Sequence, residues 1–191
     1  MSVSNDRQKK QLVDSIVRRA RRGAGKRADD IERFSRLFFA NVSPQDCAET
    51  ADECLEGAVM SLWAFAQTRK PGASKIRVFN PDPKKDGWTC SHTVVEIAND
   101  DMPFLVDSVT ADLNRRNLTV HLIIHPVIPI SRTPAGKLTG VSKDPDDTEV
   151  PSDSVMHLQI TEQTDSAMMK EIARSIEKVL GDVRAAVDDW R

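Results

Sequence analysis

Two histidines four residues apart are the first candidates for chemistry in this sequence. His121 and His125 bracket the segment HLIIH, and on a helix this spacing would place both imidazoles where they could share one zinc ion. The apolar run around them instead predicts a strand, in which four residues span roughly 13 Å, and the glutamate of an HExxH motif is missing. We therefore predict no metal site from this pair. His157 lies on another predicted strand, so a pair of histidines across the sheet stays open.

A second candidate is the segment IANDDMPFLVDSV, where a predicted strand gives way to a predicted helix. Free backbone amides at a helix N-terminus bind carboxylates and other anions. The acids oppose an anion unless they cap the helix together with Asn99, and a cap without any ligand is the alternative interpretation. The predicted effector-binding residues are those of this turn: Asp100, Asp101, Met102, Pro103 and Phe104.

Motifs for nucleotide binding and nucleophilic catalysis are absent from the sequence. No GxGxxG occurs, and the GAGK within residues 21–27 lacks the rest of a phosphate-binding loop and the strand that should precede it. Cys47 and Cys54 lie seven residues apart on one predicted helix, roughly 10 Å from each other, which indicates core residues and not a disulfide. We expect no catalytic residue, no metal and no cofactor in this chain.

Basic residues are concentrated at the start of the chain. Residues 1–27 carry nine basic and two acidic side chains, although the net charge of the whole chain is −2. Such a segment could contact nucleic acid or acidic lipid. It has no aromatic residue to stack on bases, so a solvated face or a docking surface for an acidic domain is the favoured interpretation. A stand-alone protein whose basic arm binds nucleic acid remains the alternative function.

Length and composition fit one full domain or two small ones. The chain has 191 residues, of which 39% are hydrophobic and 29% charged, and its three cysteines are an odd number without CxxC spacing. The N-terminus lacks the apolar core of a secretory signal, and no apolar run reaches the length of a membrane span. These features predict a soluble cytoplasmic protein with no membrane partner.

The elements that must position the candidate loop fall into two parts. Residues 1–73 predict helices: one ending at Gly23, a second from Asp29, and a third that starts at the capping sequence SPQD and runs to Phe65. Lys70-Pro71-Gly72 then marks a domain boundary.

Residues 74–191 predict a second domain with the order strand, strand, helix, strand, strand, helix. The longest predicted strand, Leu118–Ile130, has an apolar face formed by its even positions from Leu118 to Ile124. A short strand at Leu138–Val141 is an addition to this order. The fold class is therefore α+β, in which a helical segment precedes a split βαβ (ferredoxin-like) domain with its helices on one face of a mainly antiparallel sheet.

A family resemblance rests on several of these segments. A strand, an acidic turn with proline, an amphipathic helix and a long strand resemble an ACT domain. More specifically, HTVVEIANDDMPFLVDSVTADLNRRNLTVHLIIHPV is similar to the N-terminal region of the large bacterial NAD-dependent glutamate dehydrogenases. The resemblance covers Phe38 to Trp190 and includes FFANVSPQD, SLWAFAQTRKPG, KIRVFNPDPKKDGW and DVRAAVDDW.

The resemblance implies a function that composition and spacing do not. Enzymes of this family oxidise L-glutamate to 2-oxoglutarate and ammonia with NAD, and their catalytic lysine, aspartate and Rossmann segment lie downstream of a region like this one. The chain would then be a non-catalytic regulatory or oligomerisation region, inactive alone. Its implied partners are the downstream catalytic region, a second copy of itself and an amino-acid effector, whereas nucleic acid is not expected.

Two departures from the ACT pattern qualify this implication. ACT domains commonly end in a fourth strand after the second helix, and here the strand at Lys75–Asn80 is expected to take that place. Many effector-binding ACT domains have a glycine soon after the proline, which leaves a ligand room near the backbone. Here Phe104 follows Pro103, and its ring is expected to fill that space. This substitution favours packing between subunits or domains over binding of a small amino acid.

Overall fold

The computed structural model describes the backbone of residues 2–190 and the side chains of residues 5–190. The helices are α1 (Ser2–Gly23), α2 (Ala28–Ala40), α3 (Pro44–Glu49), α4 (Asp52–Ala66), α5 (Leu105–Arg115) and α6 (Ser166–Asp189), with a 3-10 turn at Gly25–Arg27. The strands are β1 (Lys75–Phe79), β2 (Thr93–Asp100), β3 (Val120–Ile124), β4 (Val127–Arg132), β5 (Leu138–Val141) and β6 (Ser152–Ile160).

The third predicted helix is two helices. Ser43 caps α3 as expected, accepting a hydrogen bond from the Asp46 amide at 3.0 Å, with proline in the first turn. The chain then becomes extended at Thr50 (φ −102°, ψ 133°), and α4 begins at Asp52. Cys47 and Cys54 are therefore on different helices, which corrects the prediction that they share one face, although both are buried as expected of core residues.

The strands form one antiparallel sheet in the order β1-β2-β6-β4-β5, with β3 also paired to β6. β3 and β4 lie end to end along β6 and are separated at Pro126. The predicted strand Leu118–Ile130 is therefore two strands. Proline has no amide hydrogen to continue the ladder, which explains the break. Beside β2, β1 occupies the edge position that a fourth strand would take, as predicted from Lys75–Asn80.

A bulge in β3 also corrects the predicted face of this segment. Val120 lies opposite Ile160, but Leu122 lies opposite Gln159, so one extra residue is inserted between them. Because side chains alternate along a strand, an inserted residue exchanges the two faces. Leu118 and Val120 consequently belong to the cluster on one side of the sheet, whereas Leu122 and Ile124 belong to the cluster on the other side.

Each face of the sheet carries its own hydrophobic cluster. α5 and α6 cover one face, where Val95, Ile97 and Met156 point toward them. This arrangement is the predicted α+β split βαβ fold, with both of its helices on one face. The N-terminal helices cover the opposite face and pack on Val94 and Val155. The sheet is thus buried from both sides, which explains the nearly uninterrupted burial along β2 and β6.

The predicted division at residue 73 falls where helices give way to strands. Side chains from both sides of that position share one cluster: Phe34 and Leu62 lie in it together with Ile128. Arg27 and Arg33 also donate hydrogen bonds to the carbonyls of β5 residues. The packing therefore joins the two parts through one core, and their separation into two domains stays a prediction.

Candidate functional site

The candidate loop connects β2 to α5, but its acids do not cap the helix. β2 continues through Asp100, and Phe104 is the residue that precedes the first turn of α5. Phe104 has a left-handed backbone (φ 68°), and no side chain caps the helix at this position. The predicted capping role of Asn99, Asp100 and Asp101 is therefore wrong, because pairing with β6 extends the strand two residues further than the sequence suggested.

Asp100 is held by two arginines instead. Its carboxylate lies 2.7 Å from Arg69 and 2.9 Å from Arg184, and it accepts a hydrogen bond from the Gly72 amide at 3.0 Å. Burial raises the pKa of Asp100, but its hydrogen bonds to Arg69 and Arg184 and their charges outweigh burial and lower the pKa. The negative charge that would repel an anionic ligand is thus compensated within the protein.

Asp100 is part of a larger buried ion network that the sequence did not reveal. Asp153 lies directly opposite Asp100 in the sheet, and two acids side by side require cations. Arg69 and Arg132 supply them, with N–O distances to Asp153 of 2.6 and 2.5 Å. The side chains of Arg69 and Asp153 are both only 3% exposed. Only the register of β2 on β6 would have revealed this network, and the spacing of residues in the sequence does not determine that register.

The other loop acid, Asp101, is exposed and lies near His125. Its amide donates to the Ser152 carbonyl at 3.0 Å, which fixes the backbone of the turn. Partial burial raises the pKa of Asp101, while the charge of His125 acts in the opposite direction. Burial lowers the pKa of His125, whose Nε2 lies 2.5 Å from Ser154 Oγ. An acid and an imidazole therefore stand together at the mouth of the loop.

Phe104 does not fill the space near the loop backbone where we expected its ring. Its side chain is 58% exposed, although it is a large aromatic residue. The left-handed backbone turns the ring onto the outer surface, where it lines a groove of about 370 Å³ between α5 and α6. Val179, Val183 and Ala186 form the apolar wall of this groove. Met102 is half-buried against the cluster under α5, and Pro103 is exposed.

The four histidines occupy three environments, and His125 is the one beside Ser154 and Asp101. His92 and His121 stack with ring centroids 4.3 Å apart, whereas His157 is fully buried between Phe38 and Trp88. Among the described residues, no three histidine, cysteine, aspartate or glutamate side chains converge on a point where they could hold a metal ion. The pair across the sheet that the sequence left open involved His157, whose ring contacts are with Phe38 and Trp88; the histidine rings that stack are those of His92 and His121.

The basic N-terminal segment contains a packed helix, and two of the arginines on that helix contact acids of the chain itself. Arg19 lies 2.7 Å from Glu56, and Arg21 contacts Glu32. The apolar side of α1 is buried in the core through Val13, Ile16, Val17 and Ala20. These contacts engage some of the charges that a nucleic-acid-binding arm would present. Nor is any helix in the described range long and apolar enough to cross a membrane.

The fold and the loop together define the class of protein. A split βαβ unit has both of its helices on one face of an antiparallel sheet, and here an arginine-bound acidic turn connects β2 to α5. This arrangement is that of an ACT-type module. The sequence model described as "Glutamate dehydrogenase, ACT1 domain" matches residues 34–176, and the chain belongs to this family. The resemblance seen in the sequence is thereby confirmed.

Individual relatives agree with this assignment. The chain is 38% identical over 166 residues to the NAD-specific glutamate dehydrogenase of Halomonas elongata, and 32% identical over 158 residues to that of Pseudomonas aeruginosa. These matches cover 86% and 82% of the chain. A similar enzyme of Mycobacterium tuberculosis is 27% identical over 128 residues. The chain spans about a tenth of the length of the first two relatives and corresponds to their N-terminal region.

Proposed function

We propose that this chain is the non-catalytic regulatory region of an NAD-dependent glutamate dehydrogenase that acts in the cytoplasm. The parent enzyme would convert L-glutamate and NAD to 2-oxoglutarate and ammonia in a downstream catalytic region, which would be the main partner of this chain. NAD would bind there and not to the residues described here. Family membership and the relatives' names support this proposal.

One observation carries the regulatory part of the proposal: Asp100 joins three parts of the molecule. Arg69 belongs to the segment that leads from α4 to the sheet, Arg184 belongs to α6, and Asp100 ends β2. A ligand that changed the position of this acid would therefore alter contacts on both faces of the sheet. Such a shared contact is what a regulatory module needs to pass a binding event to its surroundings.

The chemistry of the loop suits an amino acid. No side chain caps α5, so its first amides would donate hydrogen bonds to a ligand carboxylate, and the helix dipole favours that charge. Asp101 is exposed beside this turn and offers a carboxylate to an ammonium group. The predicted set Asp100, Asp101, Met102, Pro103 and Phe104 would thus bind both ends of the ligand, with Asp100 acting through its arginines.

Thermal unfolding of this chain with a panel of amino acids tests effector binding. A ligand at 100 times its Kd stabilises the folded state by about 2.7 kcal/mol, which corresponds to a rise in Tm of roughly 5–10 °C. We expect Asp101→Asn to abolish this rise, whereas Asp188→Asn, an exposed acid on α6, should leave it unchanged. A rise that survives Asp101→Asn would place the ligand elsewhere, and no rise with any amino acid would refute effector binding.

The parent enzyme provides the functional test. We expect the same amino acid to change the initial rate of glutamate oxidation, and Asp101→Asn to remove this change while the rate without effector stays the same. A ligand that stabilises the chain but leaves the rate of the parent enzyme unchanged would refute the regulatory role.

We also propose that the chain contributes to self-association. β1 is an edge strand, and within the described residues its outer side has no strand partner. Pairing with a second copy would satisfy the free amides and carbonyls of this edge. Sedimentation velocity over a hundredfold range of concentration should reveal a dimer. A monomer at all concentrations would contradict this part of the proposal.

A further inference from the structure

Two cysteines that are distant in the sequence meet where α4 packs on the segment between β1 and β2. Cys54 is the third residue of α4, and Cys90 lies shortly before β2. The two thiols are hydrogen-bond partners of each other. Cys54 is buried, and Cys90 is only partly buried. Neither residue belongs to the candidate effector loop.

Packing on both sides of the thiols holds the two segments together. The indole of Trp88 lies directly on Gly57, so that a Cβ at Gly57 would come within 2.4 Å of Trp88 Cδ2. Gly57 is one helical turn after Cys54, and Trp88 is two residues before Cys90. The close contact that requires glycine at position 57 therefore packs α4 against the segment that carries Cys90. Gln159 supports Cys54 from the sheet, donating from Nε2 to Sγ at 3.5 Å.

The two thiols differ in reactivity. The hydrogen bond from Cys54 lowers the pKa of Cys90 to about 6; burial opposes this shift, and hydrogen bonds from the backbone and side chain of His92 add to it. The same hydrogen bond, together with burial, raises the pKa of Cys54. The lowered pKa of Cys90 favours its thiolate form, and its partial exposure lets reagents reach it, whereas the raised pKa of Cys54 favours a protonated thiol beside it. A reactive thiolate next to a second thiol is the arrangement of a redox-sensitive pair.

We propose that Cys90 and Cys54 form a peroxide-sensitive dithiol, in which Cys90 reacts with the peroxide and Cys54 closes a disulfide to it. The Cys90 sulfur attacks one oxygen of hydrogen peroxide, the O–O bond breaks, and hydroxide leaves, which takes up a proton to become water. Cys90 is then a sulfenic acid. The Cys54 sulfur attacks the Cys90 sulfur, the S–O bond breaks, and a second water leaves with the proton of Cys54. Both sulfurs are oxidised, and one peroxide is reduced to two waters.

Peptide mass spectrometry of the peroxide-treated chain tests this assignment. Cys47 and Cys54 have no lysine or arginine between them, so the experiment is best done with Cys47→Ser as the parent. We expect hydrogen peroxide to produce a linked Cys54–Cys90 peptide that has lost two hydrogens and separates again with dithiothreitol. A chain oxidised only to sulfenic or sulfinic acid at Cys90, with no linked peptide, would overturn the proposal.

Single variants separate the two roles. In Cys54→Ser, peroxide should leave a sulfenic acid on Cys90 that dimedone traps, whereas in Cys90→Ser the remaining Cys54 should stay reduced under the same conditions. Serine is nearly isosteric with cysteine, and circular dichroism shows whether each variant is folded. Equal oxidation of Cys54 in the presence and absence of Cys90 would contradict the assignment of Cys90 as the reactive sulfur.

The rate of alkylation by iodoacetamide provides an independent readout. With a pKa near 6, Cys90 is about 90% thiolate at pH 7, compared with about 1% for a thiol of pKa 9, and its lower intrinsic nucleophilicity offsets part of that difference. We expect Cys90 to react several-fold faster than the buried Cys47, with a midpoint near pH 6. A midpoint above pH 8 would show that the contact with Cys54 does not activate Cys90, and would overturn the proposal.

Discussion

Replacing Asp153 with asparagine removes a charge that two buried guanidinium groups share. Arg69 and Arg132, whose side chains are 3% and 6% exposed, both contact this carboxylate. Breaking a buried ion pair costs about 3–5 kcal/mol, because the remaining charge has lost both its partner and its water. Asparagine keeps one acceptor oxygen, and Asp100 still faces Arg69. We therefore expect a loss near the lower limit, about 3 kcal/mol.

Urea unfolding followed by tryptophan fluorescence measures this loss directly. In a separate thermal unfolding experiment on a chain of this size, 3 kcal/mol corresponds to a decrease in Tm of roughly 6–12 °C. The matched control is Glu32→Gln, which removes an acid from contacts with Arg21 and Arg36 on the surface. Exposed ion pairs contribute about 0–1 kcal/mol, so this variant should lose much less stability.

High salt further distinguishes the buried ion pairs of Asp153 from the exposed ion pairs of Glu32. Salt screens exposed charges strongly and buried ones weakly, so 1 M sodium chloride should reduce the small effect of Glu32→Gln and leave that of Asp153→Asn nearly intact. If Asp153→Asn costs no more than Glu32→Gln, or if its effect disappears in salt, the network is hydrated. The reasoning that treats it as a buried junction would then be refuted.

Three further predictions concern single residues. Burial lowers the pKa of His157 to about 3, against about 6.5 for a free imidazole. Between these two pH values only the unfolded chain takes up the proton, so the free energy of unfolding falls as pH falls below 6.5, by up to about 1.4 kcal/mol per pH unit. His157→Gln should reduce that slope, as measured by urea unfolding at pH 5–7. Gly136→Ala should cost more than Gly72→Ala in the same assay. Both have φ near 80°, but only at Gly136 would a Cβ meet the Arg69 carbonyl oxygen, at 2.3 Å. Gly181→Ala, in open space within α6, should raise stability by about 0.5–1 kcal/mol; a decrease would contradict this reading.

Periodicity in the sequence predicted most of the elements, because it reports which side of each element is buried. The stripe of α6 begins where expected, with Asp165 accepting a hydrogen bond from the Ala167 amide at 2.8 Å, and Gly181 does not end the helix. The order of strands and helices in the split βαβ unit followed from the same patterns, whereas the edge position of β1 was expected from the resemblance to ACT domains. The extent and type of each element depend mainly on neighbouring residues, which explains why sequence reasoning reached them.

Two of the errors and one missed contact share a physical cause, since each depends on contacts between distant residues. The bulge after Val120 inverts the faces of β3, and no local signal distinguishes it from a continuous strand. The extension of β2 through Asp100 requires β6 beside it. The contact between Cys54 and Cys90 likewise depends on how the segment after β1 folds onto α4. Alternation and helical spacing report burial, but they do not report which strand or loop lies opposite.

Arg69 connects the buried ion network to the candidate loop. Its guanidinium contacts Asp100 at the end of β2 and Asp153 on β6, and its backbone amide donates to the Gly136 carbonyl at 2.9 Å. A ligand shifts a conformational equilibrium only by as much as it binds one state better than the other. If an effector changes the hold of Arg69 on Asp100, linkage requires that disturbing Asp153 change the affinity for the effector in return. Asp153→Asn therefore tests more than stability: the same variant, still folded in dilute buffer, should bind the effector with altered affinity even though Asp153 lies outside the loop.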